Sequence, residues 1–349
     1  MTDRPLRVLV APDKFAGTLT AADATEAIAS GWLSSRPSDV VDRCPMADGG
    51  PGFLDVVAGA TSGSVQEVPV TGPDGQPVRG RVVVVASPRG RTVYVEAADA
   101  CGLHLAPTPR EPLAMSTAGV ADLLDQALRL RPDRVIVGVG GTASTDGGAG
   151  LVQRWRAGAD DWPSTVELVA AVDAVVPLLG RMGSARGFAA QKGASSAQVD
   201  QLEQRLADWA ATSGGDPDAP GAGAGGGLGF GLALLGARLC SGGAVVADLV
   251  GLPARAAASD VVVTGEGRLD ATSFTGKVVG VVARADPRPP TLALVGVDAR
   301  RADDVGPALS VASLDARFGS VAARQDAAGR LTDLAAQTAR GLPGSVFPG

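Results

Sequence analysis

Residues 261–277 read VVVTGEGRLDATSFTGK. The opening β-branched run suits a buried strand of a parallel sheet; glycines then interrupt it, and Gly276-Lys277 stand where a helix could begin. This is close to a phosphate-binding P-loop, which requires Gly-x-x-x-x-Gly-Lys-Ser/Thr. Here Ala271 takes the place of the first glycine and Val278 that of the final hydroxyl residue. With Glu266, Arg268, Asp270 and Lys277 in one short segment, the stretch is expected to hold a charged ligand by some other arrangement.

Outward from it, strand-like and helix-like runs alternate: Arg7–Ala11, a helix from Thr20 to about Ser34, Val40–Cys44, a helix after Gly52, then Arg134–Gly138 and Asp260–Val263. Thr20 with Asp23 three residues on is a helix-capping signal. Alternation of this kind predicts a parallel sheet, with ligands bound at the C-terminal ends of its strands. Residues 65–97 differ, because tight turns at Gly72-Pro73-Asp74-Gly75 and Pro88-Arg89-Gly90 separate short β-rich runs, which reads as an antiparallel meander. The expected fold class is α/β with two α/β domains. One is doubly wound, Rossmann- or flavodoxin-like with a parallel sheet, over residues 1–64 plus 258–349; the other, residues 65–257, is inserted and contains the meander. Residues 213–222, SGGDPDAPGA, read as a linker of disordered character. The GAGAGG at 221–226 has dinucleotide-binding spacing, but no strand precedes it, so a dehydrogenase reading fails and the glycines are expected to serve close helix packing.

Composition removes several functions. A length of 349 residues suits about two domains. With 31 basic against 37 acidic residues and no basic run, the chain lacks the footprint of a nucleic-acid binder. Cys44, Cys101 and Cys240 are widely spaced and odd in number, so they read as buried thiols in a reducing compartment. The first apolar run is cut by Pro12 and Asp13, too short for a signal peptide or a membrane span; a cytoplasmic protein with no membrane partner is expected. The single histidine, His104, has no serine or cysteine motif beside it, which disfavours a Ser-His-Asp mechanism.

Four loops could carry chemistry: APDKFAGTL (11–19), PMADGG (45–50), GVGGTASTDGGAG (138–150) and the opening stretch. Successive glycines let backbone N–H groups converge on an anion, and a helix N-terminus adds about half a positive charge. Each loop also supplies an acid: Asp13, Asp48, Asp146, and Glu266 with Asp270. Any one of these acids could simply cap a helix, but four such loops together favour a ligand site. Lysine occurs only at positions 14, 192 and 277, all other basic side chains being arginine. Phosphoryl transfer uses carboxylates to hold Mg²⁺ and orient the attacking hydroxyl, and lysines to neutralise the transferred group.

The runs VLVAPDKFAGTLTAADATEAIASG, PMADGG, VTGPDGQPV, GVGGTASTDGGAG, QKGAS and TGEGRLDATSFTGK occur in the order and character of the bacterial type I glycerate kinase family, which the chain resembles from about residue 7 to 300. The resemblance implies a two-domain enzyme that uses ATP and Mg²⁺ to phosphorylate D-glycerate or a related small hydroxy acid, usually to 2-phosphoglycerate, with a homodimer as one possible assembly. Motif matches implied by it are Asp48-Gly49-Gly50, Gly140-Gly141, Asp146-Gly147-Gly148, Lys192 in QKG, Gly265-Glu266 with Arg268 and Asp270, and Gly276-Lys277. Catalytic roles fall to Asp48, Asp146, Lys192, Asp270 and Lys277, Mg²⁺ ligation to Asp146 and Asp270, and ligand binding to the remaining motif residues with Asp13 and Lys14. Which acid is the base stays open.

The chain departs from the family pattern at Ala16 (usually Lys), Pro51 (usually Glu or Asp), Val175 and Val176 (an Asp-Asn pair) and Ala190 (usually Pro), and it is shortened between Leu151 and Val166. Losing a charged group from an electrostatic site costs about 10²–10³ in rate. Two functions therefore stand: a glycerate kinase, and a catalytically impaired paralogue that binds a ligand or partner.

Overall fold

The computed structural model describes residues 4–88, 90–158, 161–286, 289–301, 307 and 309–341. The strands are β1 (Arg7–Val10), β2 (Val40–Arg43), β3 (Ser64–Thr71), β4 (Pro77–Ser87), β5 (Gly90–Glu96), β6 (Arg134–Val139), β7 (Glu167–Val172), β8 (Arg238–Ser241), β9 (Val261–Leu269), β10 (Thr291–Asp298) and β11 (Ser310–Ser313). The chain divides into two compact units, one from residues up to 47 and from 243 onward, the other from 48 to 242.

The first unit holds a five-stranded, wholly parallel sheet in the order β11-β10-β9-β1-β2. Counted within the unit the order is 2-1-3-4-5, the flavodoxin-like arrangement, whose ligand crevice lies where β1 and β9 meet and the winding reverses. Both faces are covered. Ile28 and Trp32 of the helix Ala21–Ser35 pack with Leu331 and Leu334 of the helix Ala327–Arg340 on one side. Phe274 and Val279 pack with Leu269, Ala293 and Val295 in a separate apolar cluster. The capping box at the start of the first helix forms as its sequence predicts, the Thr20 hydroxyl accepting the Asp23 N–H at 3.1 Å.

The second unit holds six strands in the order β3-β4-β5-β6-β7-β8. β3, β4 and β5 form the antiparallel meander, and β5 to β8 run parallel. The first meander turn closes through the Gly72 N–H on the Gln76 carbonyl at 2.6 Å; Arg89 of the second lies outside the described residues.

Three sequence expectations change. The strand β9 runs on through Gly265-Glu266-Gly267-Arg268, so this segment is no loop. A Cβ at Gly265 would stand 2.1 Å from the Leu294 carbonyl oxygen of β10, so glycine here lets two strands approach. Residues 213–222 are a packed loop instead of a disordered linker: Ala222 is buried, the Pro217 carbonyl accepts the Leu178 N–H at 2.8 Å, and Gly221 donates to the Val176 carbonyl. The units join at 47/48 and 242/243, against the expected 64/65 and 257/258. The helix Phe53–Ala60 sits with β5, whose Glu96 takes two of its N-terminal N–H groups, and Arg255 is held in the first unit by Asp42 at 2.8 Å.

A single buried carboxylate anchors the first unit's sheet to its helix. Asp39 accepts the Leu6 N–H at 3.0 Å, Trp32 Nε1 at 2.9 Å and Arg36 Nε at 2.7 Å. Replacing Asp39 by Ala strands three donors, two of them buried, and is expected to cost about 3 kcal/mol in urea denaturation; a loss below about 0.5 kcal/mol, the size of an ordinary surface substitution, would contradict it.

Candidate functional site

In the second unit the site gathers at the C-terminal ends of β5, β6 and β7. The glycine loop that leaves β6 is pinned to the segment before it, with Leu103 donating to the Gly141 carbonyl at 2.8 Å and Ala143 to the Cys101 carbonyl at 2.7 Å. At its far end Asp146 accepts from the Thr117 N–H (2.9 Å), the Thr117 hydroxyl (2.8 Å), and the Gly148 and Gly150 N–H groups (both 3.2 Å). These donors belong to the N-termini of the helices Ala118–Arg129 and Ala149–Gly158. Burial pushes the Asp146 carboxyl above its ordinary value against the pull of those donors.

Lys192, at the end of a short 3₁₀ turn, is buried at 7% exposure. Its Nζ donates to Thr142 Oγ1 at 3.1 Å and to the Ser144 carbonyl at 2.6 Å. Burial brings its pKa down to about 8, opposed by the nearby Cys101, Asp173 and Asp146. The ammonium lines a cavity of about 210 Å³ with Gly141, Thr142, Asp173, Phe188 and Gln191, walled by Gly223 to Gly226. Gly225, Gly226 and Gly227 are left-handed, with φ of 59°, 71° and 86°. A Cβ on Gly226 would stand 1.9 Å from the Ser144 carbonyl oxygen and 2.8 Å from Lys192 Nζ, so only glycine lets the chain close over this charge.

Asp48 is buried, and its carboxylate accepts the Gly50 N–H at 3.1 Å. Gly49 and Gly50 bring this turn onto the sheet ends, against Ala171 of β7 and against Gly140 respectively. Gly147 donates to the Gly226 carbonyl at 3.1 Å, which ties the two glycine turns together. Asp48, Gly49, Gly50, Gly140, Gly141, Asp146, Gly147, Gly148 and Lys192 thus all belong to the second unit.

The other expected residues belong to the first unit and cluster at the end of β9 and the loop after β1. Asp13 donates its N–H to the Gly265 carbonyl at 2.8 Å, while its carboxylate accepts the Lys14 N–H at 2.7 Å and lies 3.6 Å from Lys14 Nζ. Glu266 and Arg268 are two apart on β9 and so share a face of it, and Asp270 follows directly after the strand. Asp270 caps the turn Ala271–Phe274 through the Thr272 N–H at 2.9 Å and hydroxyl at 2.6 Å, with Arg268 Nε 3.6 Å from its other oxygen. Burial pushes Asp270 up, but Thr272, Lys277 and Arg268 outweigh it and leave the carboxyl below its ordinary value. Gly276 and Lys277 lead into the helix Val278–Val282. Among the described residues no group of three or more Asp, Glu, His or Cys side chains could hold a metal.

Residues 8–161 and 155–342 match the model of the glycerate kinase family. The chain belongs to the glycerate kinase family. The two matched stretches overlap at 155–161, inside the segment that reads as shortened relative to the family. An uncharacterized protein of Mycobacterium bovis is 43% identical, over 97% of this chain and 92% of its own length. Glycerate 2-kinase of Escherichia coli K12 is 34% identical over 86% of this chain and 87% of its own. Glycerate kinase of Bacillus subtilis is also 34% identical, over 80% and 81%. A crystal structure assigned as glycerate kinase 2 of Salmonella typhimurium LT2 superposes with a TM-score of 0.71 at 28% identity, covering 96% of this chain and 98% of that one. The family fold is therefore the fold of this chain.

Sequence reading missed two parts of the site. The glycines at 223–226 pack closely, as expected, but they also wall the lysine cavity; their density was the available signal. Glu96, at the end of β5, gave no motif. It is buried at 2% exposure and accepts the Gly52 N–H at 3.2 Å and the Leu54 N–H at 3.1 Å, holding the helix that follows the Asp48 turn. Burial, helped by Asp99, pushes its pKa up to about 7. A carboxyl whose folded pKa is raised binds more protons folded than unfolded, so its contribution is full below about pH 4.5 and fades as pH rises to about 7. Glu96→Gln removes this slope: relative to wild type, the variant is expected to gain about 3 kcal/mol of stability between those pH values, read by urea unfolding at a series of pH. Parallel pH curves for the two proteins would contradict it.

Proposed function

We propose that this protein is an ATP- and Mg²⁺-dependent kinase that phosphorylates D-glycerate or a closely related small hydroxy acid, giving a phosphoglycerate, with 2-phosphoglycerate as the expected product. The observation that carries the reading is Lys192: a buried ammonium, braced by loop oxygens and lining a small cavity beside the Asp173 carboxylate, in a chain of a phosphotransferase family. Burial of a lone cation is costly unless a ligand or neighbour compensates it.

In this reading the residues divide the work. Lys192 and Lys277 neutralise ligand anions, and the backbone N–H groups around Gly49-Gly50 and Gly140-Gly141 orient them. Mg²⁺ needs only one or two carboxylates besides phosphate oxygens and water. Asp270 suits that role, since its carboxyl is held below its ordinary value and the oxygen that does not take the Thr272 donors stands 3.6 Å from Arg268 Nε. Asp146 does not suit it, because its two oxygens already take four donors; its part is to hold the glycine loop. When bound, the metal would offset charge on the transferred phosphoryl group.

Four of the five substituted motif positions fall where the side chain is exposed, packs against a glycine or leaves the work to its carbonyl. Ala16 is exposed, Pro51 packs against Gly141, Val175 is exposed, and Val176 serves through its carbonyl, which accepts Gly221 and Gly223. This favours a working enzyme over an impaired paralogue.

A coupled assay with D-glycerate, ATP and Mg²⁺ is expected to show turnover, and Lys192→Met and Lys277→Ala each to lower kcat/KM by about 10²–10³. No turnover by the wild-type protein on D-glycerate or related hydroxy acids would overturn the assignment; full activity in both variants would remove the lysine roles.

A further inference from the structure

Resting on the kinase reading, we propose that the Lys192 cavity is the subsite for the hydroxy acid itself: its carboxylate is taken by Lys192, a hydroxyl is taken by Asp173, and Phe188 limits its length. Lysine is thereby assigned to the acceptor acid, not to the phosphoryl group in transit.

Size is the first argument. At about 210 Å³ the cavity is smaller than the roughly 300–1,000 Å³ of pockets that enclose drug-sized ligands. That volume matches an acid of a few carbons more closely than a nucleotide. Donor count is the second. An ammonium has three protons, and Thr142 and the Ser144 carbonyl take two of Lys192's. The third is available to an anion in the space that the side chain lines.

The decisive argument is the pairing of Lys192 with Asp173 on the same lining. An ionised carboxylate only accepts hydrogen bonds. A phosphoryl group brings acceptors alone and a higher negative charge, so it satisfies the lysine and is repelled by the aspartate. A hydroxy acid brings one anionic acceptor for the lysine and at least one O–H donor, which a carboxylate can accept in addition to the partners it already has. The half-buried Leu103, Ala174 and Phe188 add apolar wall around the carbon chain, Phe188 being the largest side chain there.

The test is calorimetric titration of the full chain with D-glycerate, in the presence of a non-hydrolysable ATP analogue. Lys192→Met is expected to weaken D-glycerate binding at least about 30-fold and to leave the affinity for the analogue within about threefold. Propionate, which has the carboxylate without hydroxyls, is expected to bind the wild type about tenfold more weakly than D-glycerate, and Asp173→Asn to reduce that preference. Phe188→Ala is expected to admit a four- or five-carbon hydroxy acid that the wild type rejects, which tests the subsite should the lysine variant fail to fold. Unchanged D-glycerate affinity in Lys192→Met with loss of turnover would overturn the subsite and leave the kinase reading standing. Lys192-dependent binding without turnover would support the subsite and overturn the kinase reading. No D-glycerate binding by the wild type would overturn both.

Discussion

An ammonium group withdrawn from water must be met by oxygen atoms, and the second unit is arranged around that demand at Lys192. Thr142 and the Ser144 carbonyl supply the oxygens, which fixes the course of the glycine loop after β6. The left-handed turn at Gly225 to Gly227 then closes over the same charge. Any side chain at Gly226 would collide with the Ser144 carbonyl that braces the lysine. Charge, loop path and glycine content are consequently one constraint seen three ways.

Carboxylates in this chain divide by what their oxygens already hold. Asp146 is spent on the helix N-termini it joins, and Glu96 on the helix after the Asp48 turn. Both stiffen the frame, and both carry pKa values pushed up by burial. Asp270 is the contrasting case, a capping carboxylate held below its ordinary value chiefly by the Thr272 hydroxyl and N–H, with Lys277 and Arg268 adding to them. A carboxyl near the end of a strand is thus held above or below its ordinary pKa according to its neighbours, and residue type alone does not distinguish the two cases.

Departure from a family motif carries a different weight once side-chain exposure is known. A carbonyl does the same work whatever side chain follows it, as Val176 illustrates by accepting two N–H groups of the 221–223 turn. Exposed positions such as Ala16 and Val175 change the surface of the unit each belongs to. The motif positions whose charges are buried, Asp13, Asp48, Lys192 and Glu266, keep their charged residues.

The alternation of strands and helices, the meander from Val65, the capping box at Thr20 and the family motifs were all legible in the sequence, because they depend on neighbours a few residues apart. The strand character of Gly265-Glu266-Gly267-Arg268 was not, since only β10 lying alongside shows that the glycines make room for a strand instead of a turn. Nor were the roles of Asp146, Glu96 and the 223–226 glycines. Asp146 meets Thr117 29 residues away, Glu96 meets Gly52 across 44, and Lys192 meets Thr142 across 50. The sequence by itself determined which chemical groups stand at the ends of the strands; tertiary structure alone decided which of them are already satisfied, because hydrogen-bond partners and the cost of burying a charge are set by distant chain segments.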